Sequence, residues 1–153
     1  MKIPPPSYES GIAFRGLRIH TAAVYCSDGR VGEQIDEFLR HTLGSDLCDR
    51  LAVPGGPASL TSSRELPEHS RGVGDHLQFL VRAHDLRRVI LITHVPCAFY
   101  RERLGVPDGS QDARQVGDLR EAAGLVKAMG ELQVDAFVAR ILEERVRFHP
   151  VDV

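Results

Sequence analysis

Four consecutive aliphatic residues, Val89-Ile90-Leu91-Ile92, form the most apolar run of this chain. Successive side chains of a strand point to opposite faces, so a strand that is apolar at every position is apolar on both faces. Such a strand buries both faces only when helices pack above and below it, which is the setting of a central strand in a parallel sheet. The run therefore argues against a hairpin-built sheet with one wet face. It requires further strands alternating with helices elsewhere in the sequence.

The sequence provides them. Ile19, Ala22, Ala23 and Val24, within 17–25, make a short apolar run that stops at Cys26-Ser27-Asp28-Gly29, a strand followed by a turn. Val31, Ile35, Phe38 and Leu39 then recur at helical spacing, and Gly44 is placed to end that helix. A second strand is expected over 49–53, closed by Pro54-Gly55-Gly56-Pro57, a strand-to-loop turn whose backbone can approach a neighbour closely. The polar stretch 59–71 has no sustained period and reads as a surface loop, long enough to cover a site. Val73, Leu77, Leu80 and Val81 form a helical stripe that leads into the central run, after which come Thr93 and His94. Beyond Cys97 the pattern predicts a short helix over 98–104, a loop over 105–110, helices over 116–129 and 134–144, and a last strand through Val146, Phe148, Val151 and Val153. The proline-rich start, 1–14, has no period and is expected to be an extended arm. The expectation is one α/β domain over 1–153, with a mostly parallel sheet of about four to five strands in the order 2-1-3-4 and flanking helices.

The chain's 153 residues, 42% of them hydrophobic, suffice for one core. A formal net charge of -2 offers no electrostatic footprint for nucleic acid or an anionic membrane. No apolar run approaches a membrane span, and 1–6 carries no hydrophobic segment for a secretion machinery, so a cytoplasmic protein is expected. Three cysteines, an odd number, argue for reduced thiols rather than a disulfide framework.

In a doubly wound sheet the site lies beyond the carboxyl ends of the strands, at the point where strand order reverses. If strand 2 lies on one side of strand 1 and strand 3 on the other, the turn at Cys26 faces the His94-Val95-Pro96-Cys97 turn. Two thiols and an imidazole then come within reach of one ion. Three protein ligands leave a tetrahedral position free, which is the mark of catalytic rather than structural zinc. Each cysteine alone would read as a small core residue, and Cys48 is read as structural. His20, His41, His69, His76, His84 and His149 are scattered, and none is singled out as a proton shuttle.

The pattern Cys-x-Asp-x-Arg at Cys26, Asp28 and Arg30, followed by His-x-x-Cys at His94 and Cys97, resembles the β-class carbonic anhydrases. The resemblance runs from Leu17 to the final strand. It implies a zinc-dependent, carbonate dehydratase-like lyase that hydrates carbon dioxide reversibly to bicarbonate through zinc-bound hydroxide. Cys26, His94 and Cys97 would hold Zn2+. Asp28, held by Arg30, would accept a hydrogen bond from the hydroxide or, released, become the fourth ligand in a closed form. Phe99, Tyr100 and Val53 are expected as walls of an apolar pocket. The family is usually a homodimer or a higher homo-oligomer, an arrangement that suits an N-terminal arm. The sequence also departs from the family. Val53-Pro54-Gly55-Gly56 stands where the family usually has Arg-Asn-Ala-Gly, and Ala98-Phe99 follows the second cysteine where glycine is usual. These departures motivate two alternatives: action on carbon disulfide or carbonyl sulfide, or zinc binding without turnover.

Overall fold

A computed structural model of the chain describes residues 3–44, 47–62 and 64–153; Met1 and Lys2, the start of the expected arm, lie outside the described residues. Five strands form one sheet: β1 (Thr21–Cys26), β2 (Asp49–Val53), β3 (Arg88–Val95), β4 (Gln133–Leu142) and β5 (Arg145–Val151), in the spatial order β2-β1-β3-β4-β5. β2, β1, β3 and β4 pair in parallel, and β5 returns antiparallel along β4. The α-helices among the described residues are α1 (Gly32–Glu37), α2 (Ala58–Thr61), α3 (Pro67–Ala83), α4 (Ala98–Arg103) and α5 (Gln111–Lys127). The expected α/β class and the 2-1-3-4 order hold, with β5 added at the edge.

The central strand packs as its composition requires. Val89 and Leu91 face one core layer with Leu77 of α3 and Leu119, Ala122 and Val126 of α5. Ile90 and Ile92 face the other, with Ile35 of α1 and Leu39 just beyond it. None of the four is more than 1% exposed. Full burial stabilises each such side chain by roughly 1.5–3 kcal/mol, so this strand anchors both layers. β1 divides in the same way, Ala22 and Val24 to one layer and Ala23 and Tyr25 to the other.

The structure corrects several expected elements. The segment 134–144, expected as a helix, is mostly β4, held between β3 and β5. Val134, Phe137, Val138 and Ile141 fit a helical period, but a strand covered on both faces serves the burial better. The stretch 59–71, expected as a loop, contains most of α2 and the first turn of α3, apart from Ser63, which lies outside the described residues. β1 begins at Thr21 rather than at 17, and β3 runs on through Thr93 and His94 to Val95. The helix after β1 is composite, with a 3-10 turn at Gly29–Val31, then α1, then a π turn at Phe38–Thr42. Gly44 follows in the left-handed region, at φ 63°, where a C-terminal glycine belongs. No described helix is long and apolar enough to cross a membrane.

Candidate metal centre

β1 and β3 are neighbours whose register ends with Tyr25 opposite Ile92. The next residues, Cys26 and the 93–97 segment, therefore emerge side by side at the carboxyl edge of the sheet. There one ligand atom from each of Cys26, His94 and Cys97 lies within 4.8 Å of the others, and the two Sγ atoms are 4.0 Å apart. All three residues are buried. Neither ring nitrogen of His94 has a hydrogen-bond partner among the described residues. A buried imidazole with both nitrogens unsatisfied is costly unless something else occupies one of them. Beside two thiols, that opening has the donor chemistry of a zinc or similar borderline ion.

The electrostatics favour a thiolate. The hydrogen bond from Cys97 draws the Cys26 thiol down to about 4, helped by His94 and by the Gly55 N–H and opposed by burial. The same contact, with burial, drives the Cys97 thiol upward.

Asp28 and Arg30 form the second part of the constellation. Arg30 Nη2 donates to Asp28 Oδ2 at 2.6 Å, and Arg30 Nε donates to Oδ1 at 2.9 Å, a fork-to-fork pair. The Arg30 backbone N–H also donates to Oδ1, at 3.1 Å, so Asp28 caps the 3-10 turn. These bonds, the Arg30 side-chain pair foremost, hold the Asp28 carboxyl down at about 2 against the opposing effect of burial. A cavity of about 330 Å³ touches Cys26, Asp28 and Cys97, with Pro54, Ala98 and Phe99 in its wall and Glu102 and Arg103 beside them. Of the expected walls Phe99 is present. Tyr100 is instead fully buried in the core, and Val53 packs on the sheet. A hollow of about 350 Å³ at the opposite end of the sheet carries no thiol, and its His84 is tied to Asp49 at 2.6 Å.

The family model described as "Putative carbonic anhydrase" matches residues 18–150. The chain belongs to this carbonic anhydrase family. Solved structures agree on the fold. A β-carbonic anhydrase isoform I from Trichomonas vaginalis superposes with a TM-score of 0.54 at 11% identity, covering 92% of this chain and 87% of that one. A carbonic anhydrase from Streptococcus mutans gives 0.51 at 17% identity, covering 90% and 87%. An uncharacterized protein from Rickettsia bellii is 25% identical over 142 residues, 86% of this chain and 85% of its own length.

Within this carbonic anhydrase-like fold the turn after β2 does more than link a strand to a loop: the close backbone approach that the sequence allows there is made, and it is made to Cys26. Gly55 N–H donates to Cys26 Sγ at 3.4 Å. A Cβ on Gly55 would lie 2.3 Å from the Phe99 ring, and one on Gly56 would lie 2.7 Å from the Cys26 backbone nitrogen. Both glycines also have positive φ, 83° and 54°. The pair Gly55-Gly56 is therefore the only local solution that lets β2 lie against the Cys26 sulfur and leaves room for an aromatic wall. Ser59 Oγ donates to Pro54 O at 2.6 Å and so accepts from His69 Nε2 at 2.9 Å. The His69 ring is 5.9 Å from that of Phe99. The supposed surface loop thus braces the site, and the signal for it, contact across the chain, is absent from local sequence.

Proposed function

We propose that this protein is a zinc-dependent lyase that hydrates carbon dioxide reversibly to bicarbonate. The observation that carries the reading is the convergence of Cys26, His94 and Cys97 beside a carboxylate locked by arginine, in a cavity with an apolar wall. Cys26, His94 and Cys97 would hold the zinc. Bound there, zinc supplies Lewis acidity that makes hydroxide available near neutral pH. Asp28 stays ionised throughout that range and is an acceptor only, so it orients a water or hydroxide proton toward its Oδ atoms. Arg30 holds Asp28 in place and keeps it from swinging toward the thiols. Pro54, Ala98 and Phe99 give carbon dioxide an apolar surface and limit competing water. Carbon dioxide and water become bicarbonate and one proton, which leaves to buffer.

Phe99 favours a second reading on the same centre. Its ring fills the space over Gly55 and narrows the cavity toward linear, apolar molecules, which carbon disulfide and carbonyl sulfide also are. Stopped-flow hydration of carbon dioxide by zinc-loaded protein, with metal assayed on the same sample, tests the first reading. Turnover that rises with pH and is lost in Asp28→Ala supports it. Full zinc occupancy without turnover sinks it, and the same samples are then offered the sulfur analogues. A chain that turns over none of them would be a zinc-binding homologue without catalysis. Three cysteines, none of them in a disulfide among the described residues, fit a reducing, cytoplasmic setting.

A further inference from the structure

β3 loses its β1 neighbour after Ile92, so the segment carrying His94 and Cys97 is paired only with β4, and only as far as Val95. Side chains of α5 supply the partners that the ladder does not. Gln115 Nε2 donates to His94 O at 2.8 Å. Gln111 Oε1 accepts from Cys97 N–H at 2.8 Å, while Gln111 Nε2 donates to Cys97 O at 3.2 Å and to Asp108 Oδ1 at 2.9 Å. Both glutamines are 0% exposed. They stand four residues apart, on one face of α5, one turn after the other. The two residues they hold stand three apart along β3 and its turn. Gln115 Oε1 has no partner among the described residues, and Gln111 Nε2 also reaches Val106 O at 3.4 Å, but three of the bonds these buried amides make go to the backbone of the two candidate ligands themselves.

From this geometry we infer that Gln111 and Gln115 are positioning residues, a two-amide clamp by which α5 fixes the spacing of His94 and Cys97 for a metal ion. The inference rests on the metal-site reading and not on turnover. Held backbones leave His94 and Cys97 only side-chain rotation to lose on binding a metal, so the clamp preorganises the site. Removing it leaves the donors in place and frees their separation.

The test uses the full chain stripped of metal. Zinc affinity is measured by competition with a chromophoric chelator, and cobalt(II) is added separately as a spectroscopic probe. Gln111→Met and Gln115→Met keep length and lose the amide. Each is expected to weaken zinc binding about ten- to a hundred-fold and to alter the cobalt(II) visible bands. Should Gln111→Met fail to fold, Gln111→Glu keeps the acceptor for Cys97 N–H, loses every bond that Gln111 Nε2 donates, and gives the same readout. Zinc affinity within twofold of the parent and unchanged cobalt bands, with only the metal-free melting temperature lowered, would mean that the amides merely fill the core, and would overturn the clamp. A parent chain that takes up neither metal fails at the metal site itself and overturns this inference with it. Zinc binding by parent and variants alike overturns the clamp alone.

Discussion

A methyl group at Gly56 would stand 2.7 Å from the Cys26 nitrogen, which is backbone and cannot swing aside, and the residue sits at φ 54°. Overpacking and left-handed strain then add, so Gly56→Ala is expected to cost about 2–4 kcal/mol in chemical denaturation. Gly117→Ala makes the contrast, because Gly117 is exposed in mid-α5 with nothing within 4 Å of a new Cβ, and there alanine should gain up to about 1 kcal/mol. Equal effects at both positions would contradict the close approach of the β2 turn to Cys26. Asp28 carries a pH prediction. Its pKa is lowered by Arg30 from 3.8 to about 2, so the stabilisation it provides is complete above about pH 4 and is lost as pH falls through about 2. The stability difference between the parent and Asp28→Asn should therefore be flat from about pH 8 to 5 and shrink below about 4. A difference that changes near neutrality would place another titrating group on the pair. Asp28 and Arg30 could be read from sequence because their bonds are local, two residues apart. The close backbone approach at Gly55-Gly56 could be read as well, but not its target, and the roles of Gln111 and Gln115 could not be read at all, since Cys26, Cys97 and His94 lie at least 14 positions from the residues that contact them.

β4 and β5 meet at a two-residue turn, with Leu142 opposite Arg145 and Glu143 and Glu144 between them. Both glutamates have positive φ, 49° and 63°, the requirement of a mirror-type hairpin turn. Asparagine and glycine usually occupy such positions, and their absence is why the hairpin was hidden and 134–144 resembled a helix. The paired substitution Glu143→Asn with Glu144→Gly should stabilise the protein by about 1 kcal/mol, strain relief exceeding the added freedom of glycine in the unfolded chain. Urea denaturation checks it, and a lower midpoint would show that the glutamates sit there without strain. The central strand was legible for the opposite reason. Val89 to Ile92 is apolar at every position, and only a strand covered on both faces uses that pattern. The order of β2, β1 and β3 is one that the connection rules allow without fixing, because right-handed crossovers alone do not say on which side of β1 the third strand lies.

At the scale of the whole molecule the sheet buries both of its faces and the site occupies the carboxyl edge; Phe79, Leu125, Leu142 and Val153 are exposed singly, and the longest run of exposed apolar side chains among the described residues lies on the N-terminal segment. Residues 3–17 form no helix or strand, and Ile3, Tyr8, Ile12, Phe14 and Leu17 are between 64% and 96% exposed. Five such side chains in water are a cost that a second copy of the chain would remove. At roughly 1.5–3 kcal/mol for each one fully buried, the arm offers a gross gain comparable to the association cost of about 4–15 kcal/mol. Exchange of two arms in a symmetric pair doubles the gain for the same cost, which puts a homodimer within reach at micromolar concentration. Sedimentation velocity at about 10 μM should therefore show the full chain as a dimer or larger, and a chain lacking 1–17 as a monomer. The truncated chain should still bind zinc, because Cys26, His94 and Cys97 all come from one chain and β1 begins only at Thr21. A monomeric full chain would remove the arm from any role in assembly. A truncated chain that dimerises equally well would move the interface elsewhere on the fold.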